Sequence, residues 1–209
     1  EGFDLVQQTL PEDMALAEAR RCVECSHLCD KCVEVCPNRA NYTYLTSPTR
    51  MQVPLLACQG DTLQVVDEEL FQVRQTRQIL HVEDFCNDCG NCTTFCVHRG
   101  QPFADKPRLF LNAADFERAE DNAFHIERDG RNWVIRRREN GEESRLTLGE
   151  NGEGMEFDNP QLRLRLGPDS AMTAMTLKKP FEGVFSLKHA AEMVVILTGV
   201  LTTLPFLLV

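Results

Sequence analysis

A chain of 209 residues, 43% hydrophobic and 26% charged, is long enough for one or two domains with cores of their own and has ordinary globular composition. Its 22 basic and 32 acidic residues leave a net charge of −10, which argues against nucleic acid or an anionic membrane as partner and suits docking onto a basic patch. The chain starts at Glu1 with no leader pattern, so it reads as processed or as the last part of something larger, and its many thiols point to a reducing, cytoplasmic compartment.

The opening segment predicts a helix that delivers the first cysteines. Thr9 and Glu12 make a capping-box pattern with Pro11 in the first turn, and Met14, Leu16, Ala17 and Ala19 continue without a breaker to Cys22. There the first run begins, Cys22-x2-Cys25-x3-Cys29-x2-Cys32-x3-Cys36-Pro37. A second follows at Cys86-x2-Cys89-x2-Cys92-x3-Cys96. Three thiolates two residues apart can reach three irons of one cubane, and a fourth three residues further on faces away. In two-cluster ferredoxins that fourth cysteine serves the other cluster. On this pattern Cys86, Cys89 and Cys92 share a 4Fe-4S cluster with Cys36, while Cys25, Cys29, Cys32 and Cys96 hold another. Cys22 stays open as the alternative first ligand, because Cys25 stands one residue earlier than the simple spacing asks, and Val97 replaces the proline expected after Cys96.

Zinc is the competing reading of these thiols. Zinc sites usually pair two Cys-x2-Cys knuckles across a longer gap, however, whereas Cys86 to Cys92 crowds three thiols together. A disulfide framework suits a much shorter secreted chain. Cys58, far from both runs, reads as a small buried hydrophobe.

The 49 residues between Cys36 and Cys86 exceed what a compact two-cluster domain needs. A polar, Pro-containing stretch occupies 41–54, and 62–66 and 78–82 read as short strands of an inserted hairpin or lobe. Beyond Cys96, Phe124 to Glu127 and Trp133 to Ile135 flank an Asp129-Gly130 turn, and Asn140-Gly141 leads into Arg145 to Leu148, two hairpins able to share one sheet. Leu162-Arg163-Leu164-Arg165-Leu166 alternates strictly, placing three leucines on one face and two arginines in water. Arg136-Arg137-Arg138 reads as a solvated strand end, with an acidic partner as the rarer use. Residues 193–209 carry no charge but fall just short of the roughly 18 residues of a membrane span, so they read as a terminal helix docked on protein rather than as an anchor.

The stretch from Arg21-Cys22-Val23-Glu24-Cys25 through Cys36-Pro37-Asn38-Arg39-Ala40-Asn41, together with Asp84-Phe85-Cys86-Asn87-Asp88-Cys89-Gly90-Asn91-Cys92 and Phe95-Cys96, resembles the C-terminal iron–sulfur part of the selenate reductase subunit family. The similarity is tight from about Arg21 to Phe103 and looser beyond. Members of that family look like fusions with a glutamate-synthase small-subunit-type oxidoreductase. The resemblance implies FAD and NAD(P)H in an upstream domain or partner subunit, single-electron transfer through the two clusters, and a selenate-reducing or purine-related molybdenum hydroxylase system as acceptor.

The expected fold is therefore α+β: a two-cluster ferredoxin-like domain over 1–110 with an insertion at about 42–80, then a small antiparallel β-rich domain over 111–209 ending in an apolar helix. The expected role is an electron-transfer module with no catalytic residues of its own, since no Gly-x-Gly-x-x-Gly loop, Walker motif or nucleophile elbow is present. A zinc-stabilised assembly module is the alternative.

Overall fold

The computed structural model describes residues 9–20, 29–149, 154–167 and 172–208. Twelve strands and six α-helices follow one another among them. In chain order they are α1 (Glu12–Ala19), α2 (Lys31–Glu34), β1 (Asn41–Leu45), β2 (Thr49–Gln59), β3 (Thr62–Val73), β4 (Arg77–Val82), α3 (Asn91–Thr94), α4 (Pro102–Asp105), β5 (Arg108–Phe110), α5 (Ala113–Phe116), β6 (Ala123–Asp129), β7 (Asn132–Glu139), β8 (Glu142–Leu148), β9 (Met155–Asp158), β10 (Leu162–Leu166), β11 (Met172–Leu177), β12 (Phe185–Ser186) and α6 (Lys188–Thr203).

Nine strands form one mixed sheet in the order β1-β4-β5-β6-β7-β8-β9-β10-β11, and β12-β2-β3 form a second. Only β4/β5 and β5/β6 pair in parallel. Tight turns fix the registers. Asn140 (φ 51°) and Gly141 (φ 74°) both take the left-handed conformation that a two-residue hairpin between β7 and β8 requires, and Gly130 (φ 62°) does the same between β6 and β7. Alternation then sorts the side chains: Leu109 joins the main core while its neighbour Phe110 packs with Phe116 and Ala123 on the other side.

The α+β expectation of a two-cluster ferredoxin-like domain is overturned. The described residues are mostly β-sheet, and a single sheet runs from Asn41 to Leu177, drawing strands from both sides of residue 110. Four of the six helices are only four residues long, and no group of three or more His, Cys, Asp or Glu side chains among the described residues closes to single-ion distances. The stretch 41–54 hides strand because it is polar and contains Pro54. Asn41 and Tyr44 are nevertheless buried, on opposite faces of β1, and Pro54 lies in the part of β2 that pairs with β3 alone before β12 joins at Leu55. What reads as short strands around an insertion is a long β2–β3 hairpin framed by β1 and β4, which pair with each other across it.

Other elements follow the sequence more closely. Both hairpins between 123 and 148 form, and in β10 Leu162 and Leu164 are buried while Arg163 and Arg165 are exposed. The opening helix exists as α1, but Pro11 is its N-cap, no side chain caps it and none of its residues is buried. Its expected course to Cys22 lies outside the described residues. The arginine run is neither solvated nor free. Arg136 pairs with Glu117 (2.5 Å) and Glu143 (2.7 Å), Arg137 with Glu139 (3.2 Å), and Arg138 donates to the carbonyl of Ala119 at 2.8 Å.

The apolar C-terminal stretch is a docked helix. Ala190, Met193, Ile196, Leu197 and Val200 of α6 are buried against β1, β7 and β8, and Leu207 of the 3-10 turn that follows is buried too. Each such apolar side chain contributes roughly 1.5–3 kcal/mol when fully buried. No helix among the described residues is long and apolar enough to cross a membrane.

Candidate metal centre

The two cysteine runs trace the same backbone course. Each has a four-residue helix carrying a buried cysteine, Cys32 in α2 and Cys92 in α3. Each then reaches a further cysteine and a residue at positive φ, Arg39 (52°) after Cys36 and Arg99 (57°) after Cys96. The turn directs a backbone N–H at the preceding sulfur: Ala40 N donates to Cys36 Sγ at 3.2 Å and Gly100 N to Cys96 Sγ at 3.3 Å. A third such bond runs from Asp88 N to Cys86 Sγ at 3.4 Å, with Asp88 again at positive φ (53°). N–H groups aimed at sulfur stabilise thiolate, the form that binds metal.

The fold then brings three cysteines of the second run and one member of the first to a single small pocket. Cys36, Cys86, Cys89 and Cys92 line it, with Asn38, Asn41, His81 and Phe103. Cys36 arrives there because the chain leaves it into β1 and returns through β4, and β1 and β4 pair along their whole length. Of the other expected set, Cys32 is buried and Cys29 is close enough to raise its pKa electrostatically, while Cys96 is half-buried at the end of α3. Cys22 and Cys25 lie outside the described residues. Every described cysteine is a free thiol, and Cys58 sits half-buried on β2, paired with Leu63 of β3 and remote from the pocket.

Burial pushes the thiol pKa of Cys32 and of Cys86 up, in Cys32 against the opposing charge of Lys106 and in Cys86 against the Asp88 N–H. Without metal these groups hold their protons, so metal binding releases them. Four thiols around one pocket are a donor set chemically suited to a metal centre, zinc and iron–sulfur alike.

Polar ties, buried and exposed, hold the site. Asn41, 2% exposed, donates from Nδ2 to the carbonyl of Cys32 at 2.9 Å, and its Oδ1 meets His81 Nδ1 at 2.9 Å. Arg77 of β4 pairs with Asp30, beside α2, at 2.5 Å. Asp84 accepts from Leu111 N at 2.7 Å and Glu83 pairs with Arg108 at 2.8 Å, fixing the 3-10 turn Glu83–Phe85 that leads into Cys86. Asn122 Nδ2 donates to the carbonyls of Ala104 and Lys106, clamping the end of α4 to the sheet. Burial holds His81 below its ordinary pKa, hence neutral. Sequence reasoning missed His81; the available signal was one imidazole inside the apolar end of a strand, Ile79-Leu80-His81-Val82.

No family model and no solved structure matches the chain significantly. Among curated proteins, 110 residues are 39% identical to the protein named "Putative oxidoreductase YgfK" of Escherichia coli strain K12, and equally to its counterpart in Escherichia coli O157:H7. That stretch covers 53% of this chain but only 8% of each relative, so the match spans a small portion of far longer relatives.

Proposed function

We propose that this chain is an electron-transfer segment of an oxidoreductase, holding one 4Fe-4S cluster on Cys36, Cys86, Cys89 and Cys92 and a second on Cys25, Cys29, Cys32 and Cys96, with Cys22 as the alternative first ligand of the latter. The observation that carries it is the convergence of Cys36 with the Cys86–Cys92 run on one pocket, although the two are 50 residues apart in sequence. The relatives' name as an oxidoreductase supports a redox role. Bound clusters supply single-electron steps, and the chain's own residues set their potentials through N–H···S bonds, burial and nearby charge.

On this reading hydride chemistry at FAD and NAD(P)H lies in other parts of a longer protein or in a partner subunit. The electrons go on to a redox partner of the selenate-reducing or molybdenum hydroxylase kind. Anaerobically purified protein should be brown and contain about eight irons and about eight inorganic sulfides per chain. A colourless protein with two zincs and no sulfide would replace this reading with the assembly module.

A further inference from the structure

His81 lines the four-thiol pocket, and half of its ring has no protein partner. The side chain is 1% exposed, Nδ1 lies 2.9 Å from Asn41 Oδ1, and Nε2 is buried without a hydrogen bond among the described residues. Asn41 decides which ring nitrogen carries the hydrogen. Its Nδ2 donates to the Cys32 carbonyl, so Oδ1 must face His81, and an amide oxygen only accepts; Nδ1 is therefore the N–H. Turning the amide round would set its oxygen against the Cys32 carbonyl oxygen. Nε2 is left as a bare lone pair inside the protein. The nearest carboxylate does not answer it: Glu83 Oε2 is 3.8 Å away, accepts from Arg108 at 2.9 Å, and as a carboxylate has no hydrogen to give. An Nδ1–H anchored on an acceptor with Nε2 free is the arrangement of metal-ligating histidines.

We propose that His81 Nε2 is a ligand of the second metal site, donating to the iron that the Cys86–Cys92 run leaves for a residue from outside, in competition with Cys36. It rests on the cluster reading above. Cys86, Cys89 and Cys92 account for three irons, and the fourth has two donors of different charge on the pocket wall, a thiolate and a neutral imidazole. Imidazole ligation raises a cluster's potential relative to thiolate. Two ligands at one corner thus give the second cluster two potentials, with Asn41 as the positioning residue that keeps the imidazole aimed.

The test is electron paramagnetic resonance with nitrogen hyperfine detection on the reduced, anaerobically purified protein carrying 15N in its histidine rings. In the wild type or in Cys36→Ala, a directly bonded histidine nitrogen should appear, and His81→Phe should abolish it. Cys36→Ala should keep a four-iron cluster at a higher potential, whereas Cys36→Ala/His81→Phe should fall to a three-iron form. The label on the wild type and Cys36→Ala needs no His81 variant to fold. Iron and sulfide present with no bonded nitrogen in either protein, and a three-iron form already in Cys36→Ala, would overturn the role of His81 and leave the cluster reading standing. Protein with neither iron nor sulfide would remove both.

Discussion

Along β4, β6, β8 and β10 the inward side chains Leu80, Phe124, Leu146 and Leu164 are closed off from solvent, whereas of the eight described cysteines only Cys32 and Cys92 are buried. The large sheet with α6 is held by continuous ladders and apolar contact. The cysteine loops rest on four-residue helices without side-chain caps and on a few polar ties: Asn41, the Arg77–Asp30 pair and the N–H···S bonds. The contrast separates two sources of order. In the sheet it is buried apolar surface, and in the loops it is polar ties, to which the proposed clusters would add their ligand bonds.

The largest effect should come from attacking the scaffold where it supports the loops. Gly199 of α6 faces Tyr44 of β1, and a Cβ there would collide with the buried ring and meet the Leu45 carbonyl oxygen at 3.1 Å. Neither neighbour can move aside cheaply, so Gly199→Val should cost about 3 kcal/mol. Urea unfolding should show a lower midpoint, with metal content falling along with it because β1 carries Asn41. An unchanged midpoint would mean that α6 does not dock on β1.

Next in size is the tie between the regions. Asn41→Leu removes the partner of the Cys32 carbonyl and of His81 Nδ1 together, leaving two polar groups unpaired at a cost of about 2 kcal/mol. Iron retention after gel filtration should drop further than the global unfolding midpoint. Equal losses in both would argue that the loops and the sheet are one cooperative unit.

Stripping the metal should do less to the sheet than either substitution. After anaerobic chelation, amide exchange should accelerate over 29–40 and 86–101 while β6, β7 and β8 keep their protection. Loss of protection throughout the large sheet would show that folding and cluster assembly are inseparable.

The sequence made different parts of this division legible to different degrees. The hairpins over 123–148 and the alternation of Leu162 to Leu166 were readable because a period of two and an Asn-Gly turn are local signals. The crossing of Cys36 to the second run is an expectation carried by the two-cluster ferredoxin pattern; what the fold adds is that Cys36, Cys86, Cys89 and Cys92 line one pocket. The nine-stranded sheet was not readable, since β1 is polar, β5 has three residues and their pairing with β4 depends on contacts far apart in the chain. His81 escaped for the same reason: only the fold reveals that its Nδ1 is taken by Asn41 and its Nε2 is not.

The smallest expected effect is a pH dependence that belongs to the scaffold. His189, in the first turn of α6, is held below its ordinary pKa first by burial and then by the charge of Arg137, whose Nη1 donates to its Nδ1, while Glu139 and Glu69 pull weakly the other way. With the folded value below the unfolded one of about 6.5, the unfolded chain binds a proton that the native protein refuses, so this contribution is present above the unfolded value and is lost on acidification toward the folded one. Glu192, one turn on, has the opposite sign: burial raises its pKa, so its contribution is full at low pH and is lost as pH rises from about 4.5 through the folded value. His189→Gln keeps an acceptor for Arg137 and removes the titration. Followed by fluorescence of Trp133, the single tryptophan, which lies on the same strand as Arg137, wild-type stability should fall between pH 7.5 and 5.5 and the variant's should fall less. A wild-type slope unchanged by the substitution would mean that His189 does not carry the acid sensitivity.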